Sequence, residues 1–212
     1  MTLAGLVIIA ITAIFSYRGF NEPLFFEQYK FSVGAIRQKR EYYRLISSGF
    51  LHADWMHFIF NMLSLYFFQG IVSAAFGAGG FLIIYFGSML LGNAFSLFLY
   101  KDQPWYSAIG ASGAVSGVIF AAIALNPDGI SVNFLPGWLF GTLYFSYSVY
   151  MLLRPKPWDN LGHSAHLGGA VFGLVYIFIA ATQSAIENGL YLIIMLIPIL
   201  YLAYILFKNK RR

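Results

Sequence analysis

Six stretches of this chain contain no Asp, Glu, Lys or Arg: residues 1–17, 55–100, 103–127, 129–153, 160–186 and 188–207. Few folds accommodate such a pattern. A helix that spans a bilayer needs about 20 mostly apolar residues, because its backbone polar groups must be satisfied within the segment itself. Five stretches have room for one such helix and 55–100 has room for two, so seven spans are expected. Only 10% of the 212 residues are charged, against roughly 25% in soluble domains. The chain therefore reads as an all-α, polytopic membrane protein in contact with the lipid bilayer, with little left over for a soluble domain. No cysteine is present, which excludes disulfides, thiol catalysis and thiolate metal sites. The N-terminus lacks a basic n-region and a small-residue cleavage site, so its apolar stretch is expected to be a retained span.

In order, the spans are expected over about residues 3–17, 55–76, 81–100, 107–125, 136–153, 165–182 and 189–207. The loop 18–54 mixes six Lys/Arg with Phe20, Phe25, Phe26, Tyr29, Phe31, Tyr42 and Tyr43, a composition suited to the headgroup layer. Gly77-Ala78-Gly79-Gly80 predicts a tight turn between the second and third spans. Asn126-Pro127-Asp128-Gly129 closes the fourth, and Arg154-Pro155-Lys156-Pro157-Trp158-Asp159 cannot continue the fifth.

Polar residues within the spans narrow the chemistry. His52 precedes the second span and His57 opens it, with Asn61 one turn further on; His163 and His166 open the sixth. Gly110-Ala111-Ser112-Gly113 lies in the fourth, where a helix from residue 107 sets Ser112 about 10 Å below Trp105. The second, fourth and sixth spans enter the membrane from one face, so His57, Ser112 and His166 share a side. Ser112 reads either as a small residue for helix packing or as a nucleophile with room beside it for a carbonyl and a base. Asn61 and the histidines read either as interhelical hydrogen-bonding groups or as functional ones. Gly113-xxx-Gly117 and Gly169-xxx-Gly173 are close-packing motifs that bring the fourth and sixth spans together. The His163-x-x-His166 spacing keeps a metal open as a rival, although no carboxylate lies in either histidine-bearing span and no H-E-x-x-H occurs.

Three ordered pieces, His52-Ala-Asp-Trp-Met-His57-Phe-Ile-Phe-Asn61, Gly110-Ala-Ser112-Gly113 and Ala165-His166-Leu-Gly-Gly169-Ala-Val-Phe-Gly173, resemble the motifs of rhomboid intramembrane serine proteases. The resemblance implies a six-helix core to about residue 182, with the seventh helix and basic tail appended, in one membrane-embedded domain. It implies a serine endopeptidase acting on transmembrane protein substrates, with Ser112 as nucleophile and His166 as base and no acidic third member. His57, Asn61 and the Ser112 amide would hold the oxyanion. Neither a cofactor nor a metal is implied, and no nucleic-acid partner is expected. Glu41-Tyr-Tyr-Arg44 resembles a structural aromatic–Arg element in the family's first loop. One departure stands out. Relatives often carry a ring four residues after the nucleophile, packed on the base, and here that position is Ser116, so something else has to orient His166. The alternative from another class is a non-catalytic scaffold that binds or transports membrane proteins. By parity all 13 Lys/Arg fall on the active-site side, which the positive-inside rule assigns to the cytoplasm. Resemblance to bacterial relatives implies the inner membrane with the site facing outward, and the outward orientation is the one expected here.

Overall fold

A computed structural model of the chain describes residues 1–156 and 161–210. Residues 157–159 of the expected proline-rich loop and the terminal arginines 211–212 lie outside the described residues. The helices are α1 (Leu3–Asn21), α2 (Pro23–Tyr29), α3 (Val33–Lys39), α4 (Arg44–Ser47), α5 (Trp55–Leu99), α6 (Ser112–Leu125), α7 (Gly137–Leu153), α8 (His163–Ala180), α9 (Thr182–Glu187) and α10 (Gly189–Lys210). Two short antiparallel pairs accompany them. β1 (Phe31–Ser32) pairs with β2 (Ser107–Ala108), and β3 (Ser131–Val132) with β4 (Leu135–Pro136).

As one straight rod α5 would measure about 68 Å, more than twice the hydrocarbon thickness. It is instead two spans joined at Gly77, whose φ of 68° and ψ of −175° leave the helical region. The chain folds back there: Asn93 Nδ2 donates to Leu45 O at 2.8 Å, placing the later part of the second limb beside the loop that leads into the first. The predicted four-residue turn is thus concentrated at one glycine, because only Gly adopts a positive φ without steric cost.

Among the described residues, with α5 counted as two limbs, each of the seven expected spans corresponds to a helix in the predicted order, α6 with only 14 residues, and their ends differ from prediction by a few residues. The largest difference is at α6, which starts at Ser112 rather than at residue 107. Backbone pairing accounts for it. Phe31 pairs with Ala108 and Ser32 with Ser107, while Val33 N–H donates to Tyr106 O at 3.1 Å and Gly34 N–H to Pro104 O at 3.0 Å. Residues 104–108 are therefore drawn out into the first loop, and Ser112 opens its helix instead of lying a turn inside it. The first loop itself is not plain coil. It holds α2, α3, α4 and a short 3-10 turn (Ser48–Phe50), clamped by buried Arg44, which donates to Glu41 Oε2 (2.6 Å), Glu27 O (2.8 Å) and Lys30 O (2.7 Å).

Around α6 the packing is closest. Eleven of its fourteen residues are buried, and α5 and α8 pack against it and against each other. Between α6 and α8 the backbones themselves touch: a Cβ at Gly169 would collide with Gly113 O, and one at Gly173 with Gly117 O. The two glycine motifs therefore lie backbone against backbone. Outward faces are apolar, with Leu3, Phe60, Phe67, Ile179, Leu190 and Leu200 all exposed on long helices, as lipid requires and water does not favour. The molecule is a multi-pass membrane protein.

Candidate active site

Ser112 and His166 lie in the first turns of α6 and α8, and the glycine contact just described holds those turns together. Ser112 Oγ and His166 Nε2 stand 2.6 Å apart. That is within the reach a general base needs to take a hydroxyl proton. His166 is buried while Ser112 is half-exposed to a cavity of about 170 Å³, which Phe60 and Asn61 of α5, Ser116 of α6 and Tyr144 of α7 also line.

His57 approaches from the side of α5. Asp54 caps that helix, its Oδ1 accepting from His57 N–H at 2.8 Å, as the Asp three residues before an apolar helical turn allows. Ala53 N–H donates to His57 Nδ1 at 3.4 Å, so a neutral imidazole carries its proton on Nε2. That nitrogen faces the nucleophile loop: a Cβ at Gly110 would lie 2.9 Å from His57 Nε2 and 3.6 Å from Ser112 Oγ. Gly110 also holds φ at +118°, a conformation only glycine adopts freely, so the residue both turns the chain into α6 and leaves the gap open. Asn61 lines the same cavity, and one of its amide hydrogens is donated to His57 O at 2.9 Å. The second hydrogen of that NH₂ remains for a ligand.

His52, to which the sequence assigned no role, is fully buried directly behind this loop. Ala111 N–H donates to its Nε2 at 3.4 Å, its Nδ1 meets Ser16 Oγ at 2.8 Å, and Ser16 Oγ donates to Phe50 O at 2.9 Å. This relay fixes a neutral imidazole protonated on Nδ1, and ties α1 to the residue before the nucleophile. Burial, with the neighbouring His57 adding to it, pushes the His52 imidazole down to about 3. His163 is buried in the first turn of α8, edge-on to Tyr147 at 5.4 Å and to His166 at 6.2 Å. Among the described residues no three His, Cys, Asp or Glu side chains gather into a ligand set.

Two contributors were missed in the sequence. Asp54 carries a legible helix-cap signal. Tyr144 carries none: it lies in a span rich in tyrosines, and only the packing of α7 sets its ring against His166 (centroids 6.2 Å apart, planes at 29°) with its hydroxyl 2.9 Å from Ser116 Oγ.

Known proteins resemble this chain over most of its length. A family model described as the Rhomboid domain matches residues 39–183, which takes in α5, α6 and α8 and leaves out α1 and α10. The chain is 27% identical over 190 residues to "RHOMBOID-like protein 12, mitochondrial" of Arabidopsis thaliana, covering 81% of this chain and 56% of that one. It is 30% identical over 138 residues to "Rhomboid protein 1, mitochondrial" of Saccharomyces cerevisiae, covering 62% and 40% respectively. It is 29% identical over 144 residues to "Putative rhomboid protease YdcA" of Bacillus subtilis, covering 68% and 69%. The chain thus spans about half the length, or less, of the two mitochondrial relatives. With the domain matched over most of its length and the three motif-bearing helices converging on one cavity, the chain belongs to the rhomboid family.

Proposed function

We propose that the chain is an intramembrane serine endopeptidase that cleaves transmembrane proteins through a Ser112–His166 dyad. The observation that carries this reading is the 2.6 Å contact between Ser112 Oγ and His166 Nε2 at the wall of a cavity within a bundle of spanning helices. His166 Nε2 takes the hydroxyl proton as Oγ attacks the scissile carbonyl carbon, and the carbonyl electrons move onto oxygen. The oxyanion is met by the Ser112 N–H, a donor left over at the start of α6, together with His57 Nε2–H and the remaining Asn61 amide hydrogen. His166 then returns the proton to the departing amine, leaving an acyl-enzyme on Ser112. Water, deprotonated by the same imidazole, attacks the ester and regenerates the hydroxyl. A third, acidic member is not required for any of these transfers. The substrate class follows from the setting, since Ser112 lies among helices whose outer faces are apolar and suited to lipid, where spanning segments of other proteins are found.

The test is cleavage by purified protein reconstituted in liposomes with a panel of single-span membrane proteins. Wild type is expected to cut at least one of them and Ser112→Ala none. EDTA should leave the rate unchanged, whereas inhibition by EDTA reversed by zinc would contradict a metal-free dyad. Binding of the panel without any cleavage would instead favour the non-catalytic scaffold.

A further inference from the structure

Resting on the dyad reading, we propose that Tyr144 of α7 is the positioning residue of the base: its ring packs on the His166 imidazole and its hydroxyl is moored to Ser116. An imidazole turns about two side-chain bonds, and only some of its orientations present Nε2 to Ser112 Oγ. The position one turn after the nucleophile, from which a ring would reach His166, is occupied here by Ser116. The structure fills that place from another helix. Tyr144 stands with its ring plane 29° from that of the imidazole and its centroid 6.2 Å away, in the range of offset aromatic stacking.

Ser116 does not simply leave a gap. Its Oγ lies 2.9 Å from Tyr144 Oη, so the small residue that makes room for the ring also holds its far end. Ser112 and Ser116 are four residues apart and lie on one face of α6. One helix face thus supplies the nucleophile and the tether for the ring that orients the base. Phe120 (5.4 Å) and Phe140 (5.8 Å) pack beside the same ring and restrict its rotation. Tyr144 also lines the cavity that holds Ser112, so a role in binding substrate is the natural rival. His163, edge-on to His166, is the rival positioning group.

The test measures two rates on each variant: acylation of Ser112 by a small fluorophosphonate, which bypasses polypeptide docking, and cleavage of a reconstituted substrate resolved into kcat and KM. Tyr144→Leu should lower the labelling rate and kcat about tenfold or more, a fraction of the 10²–10⁴ a general base contributes, with KM and thermal unfolding little changed. Tyr144→Phe keeps the ring and should keep the larger part of both rates, and His163→Ala should label within about threefold of wild type. If Tyr144→Leu does not fold, Tyr144→Met, equally ringless and more adaptable in shape, takes its place. A wild-type labelling rate in the ringless variants, or a loss confined to KM, overturns the proposal. A loss in Tyr144→Phe as large as in Tyr144→Leu overturns it too, because the hydroxyl and not the ring would then matter. Ser112→Ala in the same series separates the two readings: if it still labels and cleaves, the dyad itself is wrong, whereas a dead Ser112→Ala beside a normal Tyr144→Leu rejects only the role of Tyr144.

Discussion

His57 and Asn61 present donors to the space beside Ser112 from one face of α5, and both also hold local structure, so their two roles need separating. As oxyanion donors, His57→Ala and Asn61→Ala should each slow single-turnover cleavage about 10²–10³-fold, with substrate binding little changed. As scaffolding alone they would lower the unfolding temperature and leave the rate of the folded protein intact. Single-turnover rate and thermal unfolding measured on the same samples distinguish these outcomes. His52 makes a different prediction. Its folded-state value of about 3 lies well below the ordinary 6.5, so the unfolded chain takes up a proton that the folded protein refuses. Stability from this group is complete above pH 6.5 and is lost as the pH falls towards 3. The unfolding temperature in detergent should therefore drop between pH 7 and pH 4.5, at roughly 2–4 °C per kcal/mol, and His52→Gln should flatten that drop. An unchanged pH slope in His52→Gln would place the acid sensitivity elsewhere.

At the scale of elements, the site depends on how closely α6 and α8 approach. Gly169→Val would push the α8 backbone off Gly113 O and so pull His166 away from Ser112. Overpacking of this kind costs about 1–3 kcal/mol, and the variant should lose cleavage along with several degrees of thermal stability. Gly70 in α5 has nothing within 4 Å of its missing Cβ, so Gly70→Ala should leave cleavage intact and stabilise the helix by about 0.5–1 kcal/mol. A Gly169→Val protein that cleaves normally would show that backbone contact does not set the dyad distance. The sequence made this contact legible because GxxxG spacing has one geometric consequence. It also made the spans legible, since charge-free length is a direct requirement of the bilayer. Helix starts were less legible. Residues 107–111 are apolar enough for helix, and only a two-residue strand pairing with the distant Phe31–Ser32 draws them out. Tyr144 was beyond reach for a similar reason, because its significance lies in where α7 packs and not in its neighbours along the chain.

For the whole molecule, the orientation in the membrane sets which compartment meets the site. Counted by parity along the sequence, the Lys and Arg of the described loops fall on the side of Ser112, whereas resemblance to bacterial relatives leads us to propose that this side faces away from the cytoplasm. The native chain has no cysteine, so a single introduced thiol reports cleanly. Gln103 is exposed in the loop that leads into α6, on the active-site side. With Gln103→Cys expressed in bacterial cells, the outward orientation predicts labelling of intact cells by a membrane-impermeant maleimide. Labelling only after lysis would place the site in the cytoplasm, as the positive charges alone suggest.

Activation of Ser112 by His166 is read out by mass spectrometry of the fluorophosphonate-treated, folded protein. A single adduct is expected on the peptide containing Ser112, absent from Ser112→Ala and slowed at least about 10²-fold in His166→Ala. A folded wild-type protein that takes up no adduct, or takes it up at another serine, would show that Ser112 is not the nucleophile.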